Sequence, residues 1–139
     1  MKKRLRVLLA FDMVYAVKPD HDYAEEFADR GNHETEIDVY QALLENGYEV
    51  RRLGLYDDPR RLLDAVREFQ PDVIFNLVDT FHEITHFDKN MAALIELIGV
   101  PCTGAASATL FLCNDKGLCR KILRFHRVRG PRFHTFYRG

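Results

Sequence analysis

Hydrophobic and polar positions along the chain follow two periods. Leu5–Phe11 is an almost unbroken apolar run closed by Asp12, the pattern of a parallel strand covered on both faces. Met13–Gly31 mixes Lys-Pro-Asp-His-Asp with glycine, has no clean period, and reads as a loop or ragged helix. Between Glu34 and Asn46, apolar Ile37, Tyr40, Leu43 and Leu44 recur at helical spacing, and Gly47 supplies a left-handed stop. Tyr48–Leu55 alternates as a strand. Asp58-Pro59 then sets a capping acid and a first-turn proline ahead of a helix from about Pro59 to Phe69, burying Leu62, Leu63, Val66 and Phe69. Asp72–Leu77 is a second buried strand. Lys89–Ile98 carries Met91, Leu94, Ile95 and Ile98 on one helical face before Gly99, and Val100–Cys102 is a short strand. Ala105–Cys113 and Asp115–Phe125 read as helices joined at Asn114, and Pro131–Tyr137 as the opening of another strand.

This succession predicts an α/β fold: a three-layer, doubly wound, mainly parallel sheet of Rossmann-like type, whose right-handed crossovers bring the strand C-termini to one edge. That edge is expected to hold Asp12, Asn76, Asp79 and Gly104, and ligands bind at such edges. The 139 residues suit a single core, with 1–130 as the domain and 131–139 as the start of a further lobe. A net charge of −1 gives no electrostatic reason to expect nucleic acid or an anionic membrane, the only basic concentration being Lys116–Arg138. The first apolar run is too short for a signal-peptide core or a membrane span, so a cytoplasmic protein is expected. Cys102, Cys113 and Cys119, an odd number without paired metal spacing, fit reduced thiols.

Two patterns suggest chemistry by themselves. His82-Glu83-Ile84-Thr85-His86 matches the zinc-protease sequence His-Glu-x-x-His, which works only where a helix turns both histidines one way and a third ligand follows. Here the pattern follows a buried strand by four residues, Lys89 and Ala92 break the metzincin extension, and of the third ligands Glu96 is close while Asp115 and His126 lie on other elements. Asp12, Asp79 and Lys116 offer the acids and late lysine of a receiver domain. Receivers, however, pair two acids near the first strand and place the lysine after a strand, whereas Lys116 opens a helix.

A third set is an ordered series: Phe75-Asn76-Leu77-Val78-Asp79, then Pro101-Cys102-Thr103-Gly104, then Asp115-Lys116-Gly117-Leu118-Cys119-Arg120-Lys121, then His126-Arg127 with Pro131 and Phe133. In this order the chain resembles the N-terminal (pre-ATP-grasp) domain of D-alanine–D-alanine ligases and their ligase-like ATP-grasp relatives. Such enzymes couple a carboxylate to an amine through an acyl phosphate. The resemblance implies that Lys116 reaches ATP phosphates, and that Asn76, Asp79, Thr80 and Gly104 face a small amino-acid-like or peptide substrate. It also implies C-terminal ATP-grasp lobes as partners, with ATP and Mg²⁺ as cofactors of the full-length parent and none for this chain alone. The chain alone is then not catalytic. Phe125, Phe133 and Phe136, left uncovered without the lobes, point to a homodimer. The substrate edge departs from the ligases themselves: Asp79-Thr80 stands where they carry His-Gly, the Gly-Glu-Asp-Gly loop is absent, and neither Glu34 nor Glu36 is in frame with their first-loop glutamate. The other class of function compatible with the fold is a stand-alone binding or interaction module.

Overall fold

The computed structural model describes residues 4–28 and 30–136. Three parallel strands, β1 (Arg6–Asp12), β2 (Glu49–Leu55) and β3 (Val73–Leu77), form one sheet in the order β2-β1-β3. Ala10 pairs with Leu53 on one side and Asn76 on the other. Side chains alternate across a strand, so β1 supplies two cores at once. Leu8 and Ala10 face α3 (Arg60–Phe69) and α4 (Asp88–Ile98), meeting Leu62, Ala65, Phe69, Met91 and Ile95. Leu9 and Phe11 face the other way, toward Phe27 of α1 (Ala24–Ala28) and Val39 and Tyr40 of α2 (Arg30–Glu45). Leu8, Leu9, Ala10 and Phe11 are completely buried, which is why this strand shows a run rather than an alternation. The result is the three-layer α/β arrangement expected from the sequence.

The segment before α2 is tied down by arginines. Arg52 lies over the rings of Phe27 and Tyr40, 4.8 and 4.9 Å from their centroids, and donates to the carbonyls of Asp22 and Tyr23. Arg61 donates to the carbonyl of Val17 and to the Tyr23 hydroxyl. The non-periodic stretch after β1 is therefore, over residues 13–23, a loop pinned to the sheet, followed by the five-residue α1. Backbone torsions leave the helical region at His33, so the regular part of α2 begins at Glu34, and Gly47 (φ +80°) follows its end. Asp58 acts as expected: its carboxylate accepts the Arg60 N–H at 3.0 Å, just inside the start of α3.

Two expectations are corrected. Val100–Cys102 is not a strand; only Cys102 bridges to Ile74, through the Ile74 N–H to the Pro101 carbonyl (2.8 Å) and the Thr103 N–H to the Ile74 carbonyl (3.0 Å). The ladder stops there because the next strand donor, the Asn76 N–H, bonds the Thr103 hydroxyl (3.0 Å) instead of a carbonyl. Pro131–Phe136 forms no strand among the described residues, and Tyr137 lies outside them. This segment instead runs back along α6 (Lys116–Phe125), since a Cβ placed at Gly117 would meet the Thr135 side chain at 3.4 Å. The short α5 (Ser107–Asn114) precedes α6.

Candidate functional site

The C-terminal ends of β1 and β3 lie side by side, and the Asp12 carboxylate organises the loop after β3. One oxygen accepts the Asp79 N–H at 3.1 Å, and the other accepts the Thr80 hydroxyl at 2.7 Å. Asp12, Asp79 and Thr80 are thus brought together, with Asp12 holding the other two. Asn76 turns its side-chain oxygen to the Val78 N–H (3.2 Å), so part of its function is to cap the strand end.

The Asp79 carboxyl is shifted above the usual aspartate range, first by partial burial and then by the neighbouring charges of Asp12 and Asp88. Three carboxylates near one sheet edge make a locally negative surface, able to accept an ammonium or other cationic donor.

The predicted residues are not all gathered in one cavity. Asp12 borders a hollow of about 450 Å³ with Tyr15, Glu26, His33 and Glu36. Gly104 (φ +96°) lines a separate one of about 280 Å³ with Glu96, Cys102 and Thr103. Lys116 borders a third, about 410 Å³, with His86, Lys89, Phe111 and Asn114. Lys116 is the first residue of α6, and the Asp115 carboxylate caps that helix by accepting the Leu118 N–H at 2.8 Å. Asn114 holds this corner against α4 by donating to Asp88.

The His82–His86 stretch is not the helix that zinc chemistry requires. Phe81 and Ile84 exchange backbone hydrogen bonds across His82 and Glu83, which both have positive φ (55° and 58°), as in primed hairpin turns. Thr85–Phe87 then forms a short 3₁₀ turn leading into α4. The histidines consequently part: His82 packs on Tyr56, with ring centroids 5.5 Å apart, while His86 borders the Lys116 hollow. Among the described residues no three His, Cys, Asp or Glu side chains are grouped to hold a metal ion.

Sequence reasoning missed the cluster behind Asp12. Glu26 is 8% exposed; one oxygen accepts the Tyr15 hydroxyl at 2.6 Å and lies 2.7 Å from His21 Nε2, while the other is buried without a partner. Burial raises its pKa, but the bonds from Tyr15, its backbone and His21 outweigh that and hold it below the usual carboxylate range. No periodic signal marks these residues, because Tyr15 and His21 come from the pinned loop and Glu26 from the five-residue α1, which is too short to show a period.

No protein-family model matches the chain. It is 32% identical over 85 residues to a D-alanine–D-alanine ligase of Erythrobacter litoralis, covering 61% of this chain and 24% of that protein. Over 93 residues it is 30% identical to a D-alanine–D-alanine ligase of Francisella philomiragia, covering 67% and 30%. The chain therefore spans less than a third of the length of these relatives. Its fold matches that of the D-alanine–D-alanine ligase from Bacillus anthracis complexed with ATP, with a TM-score of 0.60 over 91% of this chain and 36% of that one, at 19% identity.

Proposed function

We infer, from a chain that in sequence and fold is an N-terminal domain of the D-alanine–D-alanine ligase type, that it forms the substrate-side domain of an ATP-dependent carboxylate–amine ligase. The observation that carries this reading is the acidic sheet edge. Asp12 fixes the loop after β3 through the Asp79 N–H and the Thr80 hydroxyl, and the Asp79 carboxylate stands at that edge with its pKa raised. Partial burial disfavours the charged form of this carboxyl and Asp12 and Asp88 repel it, costs that the ammonium of an amino-acid-like or peptide acceptor would offset. Asn76 and Thr80 flank the approach in this reading, whereas Gly104 stays with its own separate hollow.

The residues present also suit an ATP phosphate chain at the corner of α6. Lys116 and Lys89 both border the hollow there, and as compact cations they would offset phosphate repulsion. When bound, ATP supplies the phosphoryl group that activates a carboxylate. This chain's part is to hold phosphates at Lys116 and the amine at Asp79. Magnesium would need acidic ligands from elsewhere, since no metal-binding cluster occurs among the described residues. The domain by itself is not catalytic in this proposal, because an exposed lysine in water contributes only about 1 kcal/mol at contact distance. Phe125 and Phe136, 81% and 92% exposed, belong to the surface assigned to the partner lobes or to a second copy of the chain.

The test is a version of the chain joined to ATP-grasp lobes and assayed for amine-dependent ADP release. Lys116→Ala is expected to lower turnover at least tenfold, about 1.4 kcal/mol of transition-state stabilisation. Unchanged turnover would remove Lys116 from the phosphate site.

A further inference from the structure

We propose that the groove between α6 and the segment that folds back along it is a binding site for a multiply charged phosphate anion, separate from the Lys116 corner. Arg127, with φ +59°, reverses the chain just past the helix, and the turn is locked by the Val128 N–H to the Leu123 carbonyl at 2.9 Å. The groove so formed holds about 470 Å³ and draws Arg120 and Arg124 from the helix, Arg127 from the turn, and Arg129 and Arg132 from the returning segment. That volume is within the range of about 300–1,000 Å³ typical of small-ligand sites.

No carboxylate lines the groove, and the sequence has no Asp or Glu after Asp115. The arginine ion pairs of the described residues, those of Arg6, Arg30, Arg51, Arg60 and Arg67, all lie elsewhere. Arg120 and Arg124 are four residues apart on one helix face, a like-charge spacing that weakens a helix unless something neutralises it. The return segment also approaches closely: a Cβ on Gly130 would stand 3.1 Å from Arg120 Nη1, so glycine leaves the room in which that guanidinium lies. Phe133, half-buried, forms an apolar wall. Guanidinium forks match the oxygens of phosphates two at a time, and five forks around one groove match a chain of phosphates better than a single carboxylate.

The test is calorimetric titration of the 139-residue chain with sodium tripolyphosphate, without magnesium, at low salt. Expected is saturable one-to-one binding with a Kd on the order of 100 µM, weakening as salt screens the groove. Arg120→Ala with Arg124→Ala should weaken it at least tenfold, and the Lys pair at the same positions several-fold, because charge without the fork is retained. Gly130→Ala should also weaken it while leaving the melting temperature unchanged. Lys116→Ala should change it less than twofold, which separates this site from the ATP assignment. Non-saturating uptake, full affinity in the Lys pair, or indifference to Arg120 and Arg124 would overturn the proposal. So would tighter binding of a single-stranded oligonucleotide on the same arginines, which would give the groove to nucleic acid.

Discussion

The side-chain amide of Asn114 donates to both carboxylate oxygens of Asp88, at 2.9 and 3.0 Å, and so fastens the α5–α6 corner to the first turn of α4. Asp88 is also one of the charges that raise the Asp79 pKa. One residue pair therefore links the corner carrying Lys116 to the acidic sheet edge.

Asn114→Ala should lower the urea midpoint by the equivalent of about 1 kcal/mol, the usual net worth of a hydrogen bond, because the exposure of this pair offsets the extra strength of a charged acceptor. Asn114→Asp should cost more, because it sets a second negative charge against Asp88. Equal midpoints for all three proteins would mean that other contacts hold the corner.

Gly54, in the buried part of β2, has no space for a side chain. A Cβ there would stand 2.6 Å from Met13 Cγ and 2.7 Å from Tyr23 Cε1, and its N–H is held by the Tyr23 hydroxyl at 2.8 Å. Gly54→Ala is expected to destabilise by about 1–3 kcal/mol, as overpacking does, and to loosen the loop pinned through Tyr23. Hydrogen exchange across 13–23 should quicken, and wild-type stability would contradict the close packing.

Asp79 gives a pH dependence whose sign is fixed by its shift. Its folded pKa lies above the unfolded value, so its favourable contribution is fully present below the unfolded pKa and is lost as pH rises through the folded one. At neutral pH the charged group is therefore a net strain, and Asp79→Asn should raise the melting temperature at pH 7. The gain should shrink toward pH 3, where Asp79 is protonated in both states. A constant difference across this range would show that the carboxylate's ionisation is not its cause.

Glu26 runs in the opposite direction. Its folded pKa is depressed, so the stability it provides is present above the unfolded pKa and is lost as pH falls through the folded value. Removing the Tyr15 donor by Tyr15→Phe takes away one of the bonds that hold that pKa down. Acid unfolding should then begin at higher pH than in the wild type, and an unmoved acid limb would detach Tyr15 from Glu26.

Much of the scaffold was legible in the residues. Leu5–Phe11 announced a strand buried on both faces because both faces of β1 are covered by helices, and Ile37, Tyr40 and Leu43 announced α2 because only one of its faces meets the sheet. Val100–Cys102 misled, since a three-residue apolar run contains no record of Thr103 offering its hydroxyl to Asn76 in place of a carbonyl. The histidine pattern was ambiguous for a related reason. Letters fix the spacing of His82 and His86, but the backbone between them turns through positive φ and sends them to different surfaces.

By itself, the sequence determined the layer order, the sheet edge at which Asp12, Asn76 and Asp79 emerge, and the helix start that presents Lys116, because these follow from local periodicity and capping. Tertiary structure alone decided that Asp12 holds Thr80, that a pinned loop buries Glu26 beside that edge, and that five arginines meet across a reversed segment. Those encounters join residues far apart in the chain or carried past a turn, and hydrogen bonds and charges of that kind leave no periodic trace in the order of residues.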